Sequence, residues 1–271
     1  MKNNDITYNV GYGILGLVVL LGALLLWNAR ATINTRITEA EEAAKPAEIE
    51  LTLITPSDCD LCVDGTILME EMEKQDVRLL DSKTLTQDSQ EGIDLIETYG
   101  ITRLPAILVN GQYDKQNVSE TFSSLGGNEQ DGTLVIEVQQ PVYLDLASGD
   151  TVGLVDVTYL TDSSCTDCYD PVTHKPILEN TFGVVIASES SVNAQSSEGL
   201  ALIAQYAIAQ TPTILLSSQA LAYDRLAQTW KQVGTVEEDG TLIFRANTAL
   251  GNVTYKDVET NQIIRPEASS E

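Results

Sequence analysis

Cations are scarce in this chain. Its 271 residues hold 15 Lys and Arg against 40 Asp and Glu, a formal charge of −25 with the one histidine neutral. Nucleic acids and anionic lipid head groups are bound through clustered cations that replace counterions or meet a surface potential, so this deficit excludes recognition of either by charge. Histidine occurs once and cysteine four times, so site chemistry built on either rests on very few positions. Charged residues make up 20% and hydrophobic residues 43%, which excludes a disordered bulk and a polytopic membrane protein alike. The length admits one or two domains.

One long uncharged run is present, Gly11 to Trp27 (GYGILGLVVLLGALLLW). Extended back to Tyr8, it spans about 30 Å as a helix, the thickness of a bilayer core. Tyr8, Tyr12 and Trp27 stand at its ends, where aromatic belts form. Residues 1–28 therefore read as a single transmembrane anchor. A cleaved signal peptide ending at the small-x-small triplet Ala29-Arg30-Ala31 is the competing reading. Lys2 precedes the run and Arg30, Arg36 and Lys45 follow it, a balance that by itself places the C-terminal side in the cytoplasm. The thiol chemistry below points to the other face. Residues 29–46 read as a stalk, with Thr38 to Lys45 (TEAEEAAK) helical and Pro46 closing it.

The rest of the chain contains one programme twice. Leu51-Thr-Leu-Ile-Thr-Pro-Ser-Asp-Cys59-Asp-Leu-Cys62 aligns without a gap on Val157-Thr-Tyr-Leu-Thr-Asp-Ser-Ser-Cys165-Thr-Asp-Cys168. Ser89-Gln-Glu-Gly92, Tyr99, Ile101 and Pro105 then match Ser196-Ser-Glu-Gly199, Tyr206, Ile208 and Pro212, and Asp131-Gly-Thr-Leu134 matches Asp239-Gly-Thr-Leu242. Drift by single residues is the mark of two copies of one fold with short loop changes. The expected units are 47–145 and 146–264, with a tail at 265–271.

Each copy reads in the same order. Short apolar, β-rich segments at 48–55 and 153–161 are buried strands. A CxxC follows each, then in the first copy a helix over 65–75 and a strand at 77–80, with a strand at 184–187 in the second. Helices over 89–99 and 196–206 lead to Pro105 and Pro212, and strands at 106–109 and 213–216 follow. Beyond these lie polar helical stretches at 118–125 and 221–233, Asp-Gly turns at 131–132 and 239–240, and a closing hairpin opened by Tyr143-Leu-Asp145 and Tyr255-Lys-Asp257. The order βαβα-Pro-β is an α/β arrangement.

All four cysteines fall in the two CxxC units. At that spacing the sulfurs can close a small ring when the first Cys starts a helix, whose free N–H groups then stabilise its thiolate. Cys59 and Cys165 are the expected exposed nucleophiles, and Cys62 and Cys168 the expected resolving partners. Shared zinc ligation is the weaker alternative, because the pairs stand much farther apart in sequence than in zinc ribbons. Purely structural bridges are weaker too, since so short a loop removes little unfolded-chain entropy.

Strand, CxxC, helix, strand, helix and then Ile-x-x-x-Pro before a strand resembles the thioredoxin superfamily, here in tandem. The resemblance covers about 47–110 and 153–217. It implies that Pro105 and Pro212 are cis and face the CxxC, and that the backbone of Leu104 and Thr211 is offered to an extended substrate strand. Departures accompany it. Neither CxxC carries Gly-Pro or a preceding Trp, each holds an acidic residue (Asp60, Asp167), and a helix follows the proline strand where the family has a hairpin. Asp170-Pro171 forms an N-cap and N1 pair that would start the second copy's helix after Cys168. His174 reads as a lone solvated histidine, and Tyr99, Tyr169 and Tyr206 as core or rim residues.

The expectation is thus a membrane-anchored, extracytoplasmic thiol–disulfide oxidoreductase. It acts through Cys59/Cys62 and Cys165/Cys168 on protein thiols or disulfides, with substrate contacts at Leu104, Pro105, Thr211 and Pro212. It needs no cofactor or metal and engages no nucleic acid. The alternative is a non-catalytic tethered binding module whose cysteines hold metal or stay oxidised.

Overall fold

The computed structural model describes residues 27, 28, 30, 32–38 and 40–265. The apolar run expected to form the anchor falls outside these, apart from Trp27. No helix among the described residues is long and apolar enough to cross a membrane. Residues 40–43 are helical, within the Ala- and Glu-rich stretch expected to be so, and residues 32–38 are helical as well, reaching back ahead of that stretch.

Two five-stranded sheets of the same design follow. The first uses β1 (Ala47–Thr55), β2 (Val77–Thr86), β4 (Ala106–Gly111), β5 (Asn128–Gln130) and β6 (Thr133–Glu137), in the order β2-β1-β4-β6-β5. β1 runs parallel to β2 and antiparallel to β4. The crossover between β1 and β2 carries α1 (Gly65–Glu73), and α2 (Gln90–Tyr99) leads from β2 into the two-residue β3 (Arg103–Leu104). A short helix α3 (Ser119–Ser124) precedes the β5–β6 hairpin, so the helix does come before the hairpin. β7 (Tyr143–Asp145) and β8 (Thr151–Val152) add to β3 in a second, small sheet. The first unit thereby runs past residue 145 to Val152.

The second unit repeats this. Its main sheet has the order β10-β9-β12-β14-β13, built from β9 (Leu154–Thr161), β10 (Val185–Asn193), β12 (Thr213–Leu216), β13 (Gly234–Val236) and β14 (Leu242–Phe244). A 3-10 turn (Pro171–His174) and α4 (Lys175–Phe182) replace α1. α5 (Ser197–Gln205) precedes β11 (Gln210–Thr211), and α6 (Asp224–Val233) precedes β13. β15 (Tyr255–Asp257) and β16 (Ile263–Ile264) form the small sheet with β11.

The strand faces explain the register. On β1, Ile49, Leu51 and Leu53 point to one core with Met72, Ile107 and Phe122, whereas Ile54 joins a second layer with Leu104 and Leu108. β1 (AEIELTLIT) alternates at its start, with Glu48 half-buried and Glu50 exposed, and is buried on both faces only from Leu51 to Ile54. β2 alternates half-buried and exposed residues because it is the sheet edge, which also lets it run longer than the apolar stretch 77–80. Ser89 and Ser196 cap α2 and α5 by accepting from the backbone N–H of Gly92 and Gly199.

Candidate functional site: two clasped CxxC turns

Each CxxC closes on itself. Cys59 is bonded to Cys62 and Cys165 to Cys168, with 5.4 Å between the Cα atoms in both. The four sulfurs are therefore not gathered at one point, and among the described residues no group of three His, Cys, Asp or Glu is placed to hold a metal.

Neither turn opens a helix, contrary to the expected dipole support for the first thiolate. In the first unit Asp64 is the N-cap, its carboxylate accepting from the Thr66 backbone N–H at 2.9 Å and from its hydroxyl at 2.6 Å, so α1 starts only at Gly65. In the second, Asp170 accepts from Val172 N–H at 3.0 Å and starts the 3-10 turn at Pro171. The caps stand just after the cysteine pairs and take the helix origin with them.

Both Leu104–Pro105 and Thr211–Pro212 are cis, and each proline is in contact with a residue that follows its cysteine pair. A Cβ on Gly65 would come 3.0 Å from Pro105 Cβ, which puts the start of α1 in contact with that proline. The Tyr169 hydroxyl, on the residue after Cys168, donates to Pro212 O at 3.0 Å and also lies 3.0 Å from Asn247 Oδ1.

Beside each proline, the edge expected to receive a substrate strand is filled by the chain itself. Leu104 pairs with Leu144 and Arg103 with Asp145, and Leu146 N–H donates to Thr102 O at 2.9 Å. Thr211 pairs with Lys256 and Gln210 with Asp257, and Val258 N–H donates to Ala209 O at 2.9 Å. The same segments reach the cysteine turns. Val63 N–H donates to Val142 O at 2.8 Å, and Tyr169 N–H donates to Thr254 O at 3.0 Å. In both units the closing hairpin therefore clasps the residue after the second cysteine to the residue before the proline. Its far end leans over the cysteine loop too: Thr151 Oγ1 lies 3.9 Å from Cys59 Sγ, and Arg265 is paired with Asp167 at 2.8 Å. That pairing holds the Asp167 carboxyl below its usual range.

The units differ beneath the clasp. In the second, the Asp162 carboxylate accepts from Ser164 N–H (2.9 Å), Ser164 Oγ (2.6 Å) and Thr211 Oγ1 (2.7 Å). Lys256 Nζ donates to Ser164 Oγ at 2.7 Å and stands 3.8 Å from Asp162 Oδ2. Asp162 and Lys256 are both buried. Desolvation works to raise the Asp162 pKa, and the hydrogen bonds from Ser164 and Thr211 with the Lys256 charge outweigh it and lower it. The repeat puts Pro56, Asp58, Leu104 and Leu144 at the corresponding places of the first unit, so no such polar network exists there.

This network corrects a second expectation. Cys165, the supposed exposed nucleophile, is only 4% exposed, whereas Cys59, Cys62 and Cys168 are half-buried. His174 is not solvated either. The 3-10 turn begun by Asp170 and Pro171 rolls it inward to 5% exposure, edge-on to Phe244 with ring centroids 4.5 Å apart and with Nε2 3.4 Å from the Tyr169 hydroxyl. Burial pushes its pKa down to about 4.

Asp162, Ser164, Thr151, Lys256 and Asn247 carried no signal as isolated residues. The repeat did hold one: where the first copy has Pro56 and Leu144, the second has an acid and a base.

No protein-family model matches the sequence, and no curated protein matches it. Among solved structures, ERdj5 form I is 12% identical over 67% of this chain, with a TM-score of 0.18, and the chain spans only 25% of ERdj5. A protein disulfide oxidoreductase from Aeropyrum pernix K1 is 14% identical over 65% of this chain and 78% of its own, with a TM-score of 0.19. Human ERp44 form I is 13% identical over 65% of this chain and 45% of its own, with a TM-score of 0.17.

Proposed function

We propose that the chain is a membrane-tethered, extracytoplasmic thiol–disulfide oxidoreductase with two centres, exchanging disulfides with protein thiols. The observation that carries this reading is the repetition. Twice, a closed CxxC stands in a turn at the end of a central strand, followed by residues that touch a cis proline, with at least one of its cysteines only half-buried. A bridge over so short a loop contributes little to stability, so its recurrence in this setting favours exchange chemistry. An incoming thiolate attacks one sulfur of the pair and forms a mixed disulfide while the other sulfur leaves as thiolate. A second thiolate, or the freed cysteine in the reverse direction, resolves it. Because the strand edge at Leu104 and Thr211 is filled, a partner presents its cysteine to the tip of the CxxC loop and does not add a strand there.

The test is acid-quenched differential alkylation of protein taken from its host membrane, read separately for each cysteine pair. Under this reading at least one pair is a mixture of dithiol and disulfide and shifts after a pulse of oxidant or reductant. Protein-disulfide exchange is also lost when all four cysteines are serine. The filled strand edges favour one other reading, a tethered binding module with permanently closed bridges. Full oxidation of both pairs before and after the pulse would establish it. A reporter fused after Glu271 reads the compartment.

A further inference from the structure

Resting on that reading, we infer that the second centre runs in the opposite sense to the expected one: Cys168 is the sulfur that meets the partner, and Cys165 is the internal leaving and resolving sulfur.

Thiol–disulfide exchange needs the incoming sulfur to approach the attacked sulfur from the side opposite the leaving one, so the attacked sulfur must have solvent along that line. Cys165 is 4% exposed. Its backbone N–H is tied to Asp162 O at 3.1 Å. The residue before it, Ser164, is fixed by its N–H and hydroxyl to Asp162 and by Lys256 Nζ to the hairpin. Asp162 is in turn held by Thr211 from the proline turn and by Gln195, whose Nε2 lies 3.3 Å from Oδ1. Three elements thus lock the chain immediately before Cys165. Beyond it the loop opens: Thr166 and Asp167 are exposed and Cys168 is half-buried. The first unit lacks the polar lock, and there Cys59 is itself half-buried.

The step balances without an outside oxidant. A thiolate RS⁻ attacks Cys168 Sγ, the bond between Cys165 and Cys168 breaks, R–S–S–Cys168 forms, and the electron pair leaves on Cys165 as its thiolate. In reverse, the Cys168 thiolate attacks a disulfide RSSR and releases RS⁻. Cys165 then loses its proton to solvent and attacks Cys168 Sγ, releasing the second RS⁻ and restoring the ring.

The experiment uses the full chain with Cys59→Ser and Cys62→Ser, so that only the second centre reacts. Its native disulfide is challenged with limiting reduced glutathione and quenched in acid. Fragment mass spectra then locate the glutathione on Cys165 or on Cys168, with no change at the site under test. In parallel, Cys165→Ser and Cys168→Ser are each added to that background, and the remaining thiol is treated with oxidised glutathione. The expected result is glutathione on Cys168 in the first arm, and in the second a Cys168 thiol reacting at least about ten-fold faster than Cys165. Glutathione on Cys165, or equal or reversed rates, overturns the inference and leaves the oxidoreductase reading standing. No mixed disulfide in the folded protein in either arm, with ready formation after denaturation, overturns the inference and removes the second centre from the exchange chemistry, leaving the oxidoreductase reading to rest on the Cys59–Cys62 pair.

Discussion

At neutral pH His174 is uncharged, because desolvation against Phe244 disfavours the imidazolium and holds the pKa near 4. In the unfolded chain it returns to about 6.5. Between those values the unfolded state binds the extra proton, so stability is complete above about pH 6.5 and falls as the pH drops toward 4. The full loss is about 3 kcal/mol, at 1.36 kcal/mol per pKa unit. Urea unfolding of the second unit at pH 7 and pH 4.5 should show this fall, and His174→Gln should remove most of it. Asp162 has a depressed pKa, so its contribution is present above about pH 3.9 and is lost as the pH falls through the lower folded value. Its partner is testable by charge. Lys256→Met strands a buried carboxylate and should cost about 3 kcal/mol. Adding Asp162→Asn should return part of that loss, a coupling that a double-mutant cycle in urea measures directly.

The elements explain why the repeat keeps Ser-x-Glu-Gly at both helix starts. A Cβ on Gly92 would stand 2.2 Å from Thr86 O, and one on Gly199 2.1 Å from Asn193 O. Both oxygens belong to the backbone of the preceding strand, which cannot step aside. Gly92→Ala and Gly199→Ala should therefore each destabilise their own unit by about 1–3 kcal/mol through overpacking, read as a lower midpoint in thermal unfolding. Such elements were legible in advance, since strand β1, the capped helices α2 and α5, and the Asp-Gly turns follow from periodicity and turn chemistry within a few residues. The clasp was not. Tyr143-Leu-Asp145 and Tyr255-Lys-Asp257 could be recognised as strands, but their partners at 103–104 and 210–211 are only two residues long, too short for any pattern. The helix origins were legible too, at Gly65 and after the Asp170-Pro171 pair, and what failed was the expectation that the first cysteine of each pair would itself start a helix: Asp64 and Asp170 take the cap position instead. Burial of Cys165 and His174 depends on contacts with residues far along the chain, such as Lys256 and Phe244, which local reading does not supply.

On the scale of the molecule, no buried cluster among the described residues mixes the two units. Ile49, Leu53 and Phe122 belong to cores drawn wholly from the first, and Val157, Trp230 and Phe244 to cores drawn wholly from the second. Each unit should consequently fold alone. A fragment of residues 47–152 should give a cooperative urea transition, whereas one ending at 141, without the β7–β8 hairpin, should be less stable or fail to fold, since Leu144 and Val142 would be missing from the clasp. The junction between the units has a different character. β8 ends at Val152 and β9 starts at Leu154, so the whole connection is Gly153, at a φ of +96° that suits glycine. It is buried, its N–H donating to Gln219 Oε1 at 2.7 Å and its carbonyl accepting from the Tyr223 hydroxyl at 2.7 Å. Proteases need several residues of chain drawn out of the fold, and this connection has none to give. Limited digestion of the native protein should cut in the exposed stalk before Ala47 and release both disulfide centres together as one piece.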